Sequence, residues 1–572
     1  FRDYQQRVLD NANKYLKDGK INIVAAPGSG KTILGLELIR RLNSPCIILS
    51  PTTAIRQQWG QRFKDLFCNH KDDFSSLFSN DLHHIKLLNS ITYQALYSTV
   101  EKVSTNDDED IDHSDIDIFA EMKKFGIKTI CLDEAHHLKN EWQKALEKFL
   151  STLDKDVKII SLTATPPYDS EGSEWDRYMQ ICGEIDEEIF VPELVAQNTL
   201  CPHQDYVYFN YPTETETASF NDYKKNAALA IETIGKLDFL SKVCQSLNTE
   251  KNYELLFSNV QQYIALATLL QYYGFEIHKK QIRELTAKRR LPPLNMHYAE
   301  IAIQFLLDGE IITDEQKTAI ISILKDYSVY EKKKVALHLN ERLKRMLISS
   351  VGKLESIKNI AKNEIATMGK QLRMLILTDY IKKENLSKVA SNEKLNSVNI
   401  VSIFETLRRE NLNVSIGVLS GTLVILPKTI DLSNIQHKKE DIANTNYCIV
   451  AFSGSTHYSV DYVGKLFEQG KIQILIGTKS LLGEGWDSPC INALILASFV
   501  GSFVLSNQMR GRAIRIDKNN PEKSSNIWHL VTVEPEYLFK DKATEKISAY
   551  IKKDDKEPVS YTHLTLPTTS RV

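Results

Sequence analysis

The sequence contains no C-x-x-C pair. Its eight cysteines are scattered, with no histidine at ligand spacing, which excludes a disulfide framework and a zinc or iron–sulfur centre and reads as reduced, buried thiols in a cytoplasmic protein. Net charge is nearly absent: 71 Lys+Arg stand against 73 Asp+Glu, a formal −2. The chain as a whole therefore does not attract nucleic acid or anionic lipid, and a polyanion would have to meet a local surface. Long apolar runs are missing too. The longest, residues 493–505, is broken by Ser498, Gly501 and Ser502 and falls short of the roughly 20 residues that span a bilayer, so a soluble chain with no membrane partner is expected. There is no signal peptide, no starting methionine and no short-period repeat. Phe1 stands just ahead of the first motif, leaving room for an upstream domain. Residues 560–572 resemble translated adapter read-through, a non-native tail unlike the charged helix expected over 536–559.

What is present is a change of periodicity along the chain. At 572 residues, about three or four domains of roughly 150 residues are expected. Over 1–212, short apolar runs at 21–26, 46–50, 85–88, 128–132 and 158–162 alternate with helical spacing at 33–42 and 54–66, the pattern of βαβ units on a parallel sheet. Over 213–369 the strands vanish. Lysine-rich segments with apolar spacing of three and four, such as 263–273 and 333–360, predict a helical domain broken at Pro292-Pro293. Its 251–350 stretch holds 15 Lys/Arg against 11 Asp/Glu, too small an excess to mark a nucleic-acid surface. Alternation returns over 370–535, with strands expected at 373–377, 414–419, 447–452, 472–476, 493–497 and 527–533. The fold class expected is α/β, with two parallel-sheet lobes flanking an inserted helical domain.

The strongest chemical signal is Ala25-Ala26-Pro27-Gly28-Ser29-Gly30-Lys31-Thr32 between an apolar strand and a helical pattern. A glycine loop there lets consecutive backbone N–H groups (Pro27 excepted) and a helix N-terminus surround phosphate oxygens. Lys31 supplies charge to the β and γ phosphates, and the Thr32 hydroxyl can reach Mg²⁺. Ala25 replaces the first glycine of G-x-x-x-x-G-K-[ST], a position not pressed against phosphate. About a hundred residues on, an apolar strand ends in Asp133-Glu134-Ala135-His136-His137. A carboxylate at a neighbouring strand's end can hold Mg²⁺ through water, and a second can orient or deprotonate attacking water. Asp133 suits the first task and Glu134 the second; the adjacent histidines lack a third ligand at metal spacing.

Four further strings follow the same order: Arg2-Asp3-Tyr4-Gln5-Gln6 upstream, Thr163-Ala164-Thr165-Pro166, Gly483-Glu484-Gly485-Trp486-Asp487, and Gln508-Met509-Arg510-Gly511-Arg512-Ala513-Ile514-Arg515. Together with the phosphate loop and the acidic box they resemble superfamily-two helicases of the DEAD/DEAH-box kind, akin to restriction-enzyme translocating subunits. The resemblance covers 1–212 and 370–535. It implies two RecA-like lobes, ATP and Mg²⁺ as cofactors, Gln5 bonding the base edge with Arg2 in support, Gly485 and Asp487 near the nucleotide, and Thr163, Ala164 and Thr165 coupling hydrolysis to lobe movement. It also implies a nucleic-acid groove lined by Pro51, Thr52, Thr53, Thr92-Tyr93-Gln94, Ser420, Gly421, Thr478 and Lys479, with hydroxyls and amides meeting phosphates rather than reading bases.

Hydrolysis concentrates negative charge on the γ-phosphate, and a guanidinium delivered from elsewhere stabilises it. Arg512 and Arg515, three apart, would share a helical face beyond Gln508, while Arg510 would point elsewhere and serve as a control. The functional expectation is an ATP-driven helicase or translocase on DNA, with RNA the alternative polymer. The rival readings are an ATPase that remodels protein–DNA complexes without unwinding, with a partner protein on the helical domain, and the motor part of a restriction or defence nuclease.

Overall fold

The computed structural model describes residues 1–533 except 69–72, 103–115, 136–139, 152–155, 169–172, 250–258, 287–289, 380–388, 392, 434, 454–455, 483–485, 487 and 499–502. Gly485, Asp487, His136, His137 and everything after 533 therefore lie outside the described residues.

Strands β1 (Lys20–Ala25), β2 (Cys46–Ser50), β3 (Phe78–Ser79), β4 (Leu88–Thr92), β5 (Thr129–Asp133), β6 (Lys158–Thr163) and β7 (Glu187–Ile189) form one sheet in the order β3-β4-β2-β5-β6-β1-β7. Every pairing is parallel. The central strands are continuous apolar runs because helices cover both faces; all five residues of β2 are buried. Around the sheet lie α1 (Asp3–Tyr15), α2 (Lys31–Leu42), α3 (Thr53–Phe67) and α4 (Tyr93–Glu101). The strand expected at 85–88 instead begins at Leu88. Asp81 caps a short 3₁₀ turn at Leu82–His84, and the Asn89 side chain bonds the Lys86 backbone on both sides, which holds the preceding residues in a loop.

The second sheet runs β14-β15-β13-β12-β16-β11-β17-β18-β8, built from β8 (His203–Asn210), β11 (Met374–Thr378), β12 (Ile416–Leu419), β13 (Val424–Pro427), β14 (His437–Asp441), β15 (Tyr447–Phe452), β16 (Ile474–Thr478), β17 (Ala493–Leu496) and β18 (Ser525–Thr532). Its centre is parallel, and β13, β14 and β15 add an antiparallel edge. Two lobes each built on a parallel sheet, the first opening on a glycine loop, are RecA-like. β8 departs from expectation: residues 203–210 precede the helical segment in sequence yet pair in the second lobe's sheet. Trp528 on β18 stacks on Tyr206 of β8 at 4.4 Å.

The chain divides into two compact units, one of residues 1–208 with 354–530 and one dominated by 209–353. The second unit has its own core, including Phe220, Leu266 and Leu306, under helices α5 (Glu214–Ile234), α6 (Val260–Tyr272), α7 (Met296–Asp308) and α8 (Asp314–Asp326). Thr213 and Glu216 start α5 with a reciprocal capping box. The continuous helix suggested by 333–360 is not formed. A hairpin of β9 (Tyr330–Glu331) and β10 (Lys334–Val335) precedes α9 (Glu341–Ile348), which Asn340 caps by accepting from Leu343 N–H at 2.8 Å, and α10 (Gly352–Met368) begins afresh. Among the described residues, no helix is long and apolar enough to cross a membrane.

Candidate nucleotide site and nucleic-acid track

Because β5, β6 and β1 are neighbours, the residues at their carboxyl ends converge beside the loop that leads into α2. Gly28 and Gly30 take φ of +88° and +84°, the left-handed region that L side chains rarely adopt, and this turns the backbone into a phosphate cradle at the start of α2. Lys31 Nζ donates to the Ala25 carbonyl at 3.1 Å and pairs with Glu134 Oε1 at 3.2 Å. Glu134 stands just past β5 with φ +53°, an uncommon conformation for a residue with a side chain and one that clusters at functional sites. Its other oxygen accepts from Ala164 N–H at 3.1 Å and from the Thr163 hydroxyl at 3.4 Å. One carboxylate thus joins the phosphate-loop lysine to the Thr163-Ala164-Thr165 segment. Thr165 N–H donates to Thr163 Oγ1 at 3.2 Å, closing that segment into a turn.

Asp133 is buried, and its Oδ2 accepts from Trp59 Nε1 at 2.7 Å. Burial, then the neighbouring Glu134 charge, push its carboxyl up to about 7, against the pull of the Trp59 donor and the Lys31 ammonium. Tyr93 donates to the Asp133 carbonyl at 3.1 Å from behind. Lys31, next to Thr32 in the chain, pairs with Glu134, next to Asp133; a carboxylate and a hydroxyl on these two neighbouring segments suit Mg²⁺, a hard cation that takes oxygen ligands, so the residue types present fit that ion. Trp59 gave no sequence signal: it lies mid-helix on α3, and only the fold brings it under β5.

Gln5 does not present its amide to an open base site. Its Nε2 donates to the Ser29 and Gly30 carbonyls at 3.2 and 3.4 Å, and its Oε1 accepts from Arg2 N–H at 3.1 Å. Arg2 reaches Tyr4, whose hydroxyl donates to Ser29 O at 2.6 Å. Gln5 and Arg2, expected at the base edge, thus also tie α1 to the phosphate loop. Gln5→Ala should therefore raise the KM for ATP and lower the thermal midpoint modestly, by about 0.5–1.5 kcal/mol, because Ser29 O keeps the Tyr4 hydroxyl and Gly30 O keeps the Ile33 and Leu34 N–H groups. The ratio of ATP to GTP turnover should stay near wild type, and steady-state kinetics with both nucleotides checks this.

The second lobe brings α11 (Ile400–Arg409) and α12 (Phe503–Ala513). Gln508 and Arg512 lie on α12, with Arg512 buried. A Cβ on Gly511 would stand 2.4 Å from the Pro27 Cβ, so only glycine lets α12 lie directly on the phosphate loop. Arg515 falls beyond the helix, in a β-bridge to Leu200, its Cγ at 4.0 Å from where a Gly28 Cβ would be. The shared-helical-face expectation for Arg512 and Arg515 is thus corrected: a turn after Ala513, not helical phase, brings Arg515 to the loop. Arg510 is no neutral control either. It is buried in a two-pronged ion pair with Asp205.

The expected track residues do gather in each lobe at the ends of adjacent strands: Pro51, Thr52 and Thr53 after β2, Thr92 on β4, Ser420 and Gly421 after β12, and Thr478 on β16. Most of their hydroxyls serve the chain itself. Thr52 accepts from Ile55 N–H at 3.3 Å, Thr92 from Ala95 N–H at 3.0 Å, and Ser420 from Leu423 N–H at 3.0 Å. These are helix caps and a turn. Tyr93 is buried behind Asp133, Lys479 is buried and paired with Asp379, and Thr92, Ser420 and Thr478 are buried as well, so none of the five presents an open side chain to a groove. Gly421 faces open space.

Residues 1–168 match a family model described as type III restriction enzyme, res subunit. Over 168 residues, 29% of this chain and 31% of the relative, the sequence is 24% identical to the DNA 3'-5' translocase XPB2 of Sulfurisphaera tokodaii. The chain spans about a third of the length of that curated relative. The crystal structure of the Pyrococcus furiosus Hef helicase domain aligns over 97% of this chain and 98% of its own, with TM-score 0.42 and 14% identity.

Proposed function

We propose, for a chain that belongs with the superfamily-two helicases, an ATP-hydrolysing motor that moves along DNA. The observation that carries it is the single carboxylate of Glu134 bonded at once to Lys31 and to the Thr163-Ala164 backbone turn, with the arginine-bearing end of α12 against Pro27. The motif match over 1–168, and a relative described as a DNA translocase, support the choice of polymer.

A triphosphate entering the cradle competes for the Lys31 ammonium. Lys31 then turns from Glu134 to the β and γ oxygens, and Glu134, still held by Ala164 N–H, is freed on one oxygen to orient a water. Thr32 and Asp133 would hold Mg²⁺, which would supply charge neutralisation at the phosphates. Arg512 and Arg515 stabilise the charge that grows on the γ-phosphate, which ties the second lobe to the nucleotide. Loss of that phosphate removes the tie, and the Thr163-to-Thr165 turn carries the change through the first lobe. Pro51, Thr52, Thr53 and Gly421, the members of the expected track that are not buried, meet the polymer backbone at strand ends in both lobes, and the buried Thr92, Ser420 and Thr478 shape the strand ends beside them.

A ligand shifts the lobes only by its differential affinity for their states. ATP should therefore change the affinity for the preferred polymer by about 5- to 150-fold, the usual range of coupling between two binding sites, and ATP turnover should rise when that polymer is present. Measuring hydrolysis with no polymer, single-stranded DNA, duplex DNA and RNA tests this. A rate that no polymer raises would reject the motor.

A further inference from the structure

We infer that Asp205, through its ion pair with Arg510, is a positioning residue that holds Arg512 and Arg515 against the phosphate loop. The inference rests on the role just proposed for those arginines. Arg510 Nε donates to Asp205 Oδ1 at 2.8 Å and Nη2 to Oδ2 at 2.5 Å, the planar fork-to-carboxylate match that fixes direction as well as distance. Its remaining nitrogen, Nη1, donates to Asn507 Oδ1 one turn earlier on α12. His529 Nε2, from β18, lies 3.0 Å from the same Asp205 oxygen. Burial would push the Asp205 carboxyl up, but His529 and Arg510 outweigh it and hold it well below the usual carboxylate range.

The carboxylate comes from the segment that leaves the first lobe, and this segment grips the end of α12 a second time. Cys201 N–H donates to Ile514 O at 2.8 Å, and Leu200 bridges Arg515 while its Cδ2 sits 2.9 Å from the position a Gly28 Cβ would take. Residues 200–205 therefore touch the phosphate loop at one end and clamp the arginine-bearing helix at the other. Arg510, between Gln508 and Arg512, is the helix's handle. A plain core staple would need no fork on the turn that carries Arg512, nor a backbone bond beside Arg515.

The test compares ATP turnover at saturating DNA, with thermal unfolding, for the full chain and for Asp205→Asn, Asp205→Glu, Arg512→Ala and the Asp205→Asn/Arg512→Ala double variant. Misplacing a catalytic group by an ångström costs about 10²-fold. Asp205→Asn should lose kcat on that scale with the KM for ATP little changed, and Asp205→Glu, which keeps the charge, should recover most of it. In the Arg512→Ala background the Asn substitution should cost little more, because groups acting as one unit are not additive. Full kcat in a folded Asp205→Asn protein, or losses that multiply in the double variant, would overturn the inference while leaving the arginine role standing. Full kcat in Arg512→Ala would remove both. Should Asp205→Asn fail to fold, Arg510→Lys, which keeps the charge but loses the fork on Asp205, decides: a large kcat loss at unchanged melting supports positioning, and a lowered melting temperature with kcat intact refutes it.

Discussion

Arg512→Ala should reduce kcat for ATP by about 10³-fold or more, the scale on which an inserted guanidinium acts in phosphoryl transfer. Arg512 is buried on α12, one residue from the glycine that seats the helix on Pro27, so the loss must be separated from unfolding. Two measurements do so. ATP binding, followed by a fluorescent analogue, should persist because Lys31 and the loop amides are intact; the thermal midpoint should move far less than for Arg510→Ala, which removes the two-pronged partner of Asp205 and leaves it with His529. That order, Arg512 dominant in turnover and Arg510 dominant in stability, follows from their partners. If Arg512→Ala melted lowest and Arg510→Ala lost more turnover, the assignment of the two side chains would be reversed.

Glu134→Gln is the second large effect, a fall in turnover of about 10²- to 10⁴-fold, as expected for losing a positioned proton acceptor. An amide at this site can still accept from Ala164 N–H and Thr163, so the turn should survive. It cannot form an ion pair with Lys31, which frees that ammonium for the triphosphate. Nucleotide affinity should hold or tighten while hydrolysis collapses, and single-turnover kinetics beside equilibrium binding measures both. A variant that kept wild-type turnover would exclude Glu134 as the group that directs water.

Legibility in the sequence followed the range of each interaction. β1, β2, β5 and β6 were readable because a strand covered on both faces must be a short, continuous apolar run, and the loop after β1 because only glycine tolerates its backbone. Asp133 and Glu134 were readable from adjacency alone. The failures were non-local. The bonds from the Gln5 amide to Ser29 and Gly30 leave no trace in the motif string, and Arg510 looks like an out-of-phase control until Asp205, 305 positions away, meets it. A spacing of three places Arg512 and Arg515 on one face of a continuous helix, whereas the chain turns after Ala513 and reaches Leu200. The segment 333–360 read as one helix because spacing of three and four persists across it, yet Asn340 caps a new start.

Local sequence by itself determined the phosphate loop, the acidic box, the parallel strands and the order of the motifs, since these depend on backbone conformation and burial within a few residues. Tertiary structure alone decided which carboxylate Lys31 meets, that β8 crosses to the second sheet, and that Asp205 takes hold of Arg510. Those outcomes depend on which buried donors and charges find partners across hundreds of residues, and no periodicity in the chain records that choice.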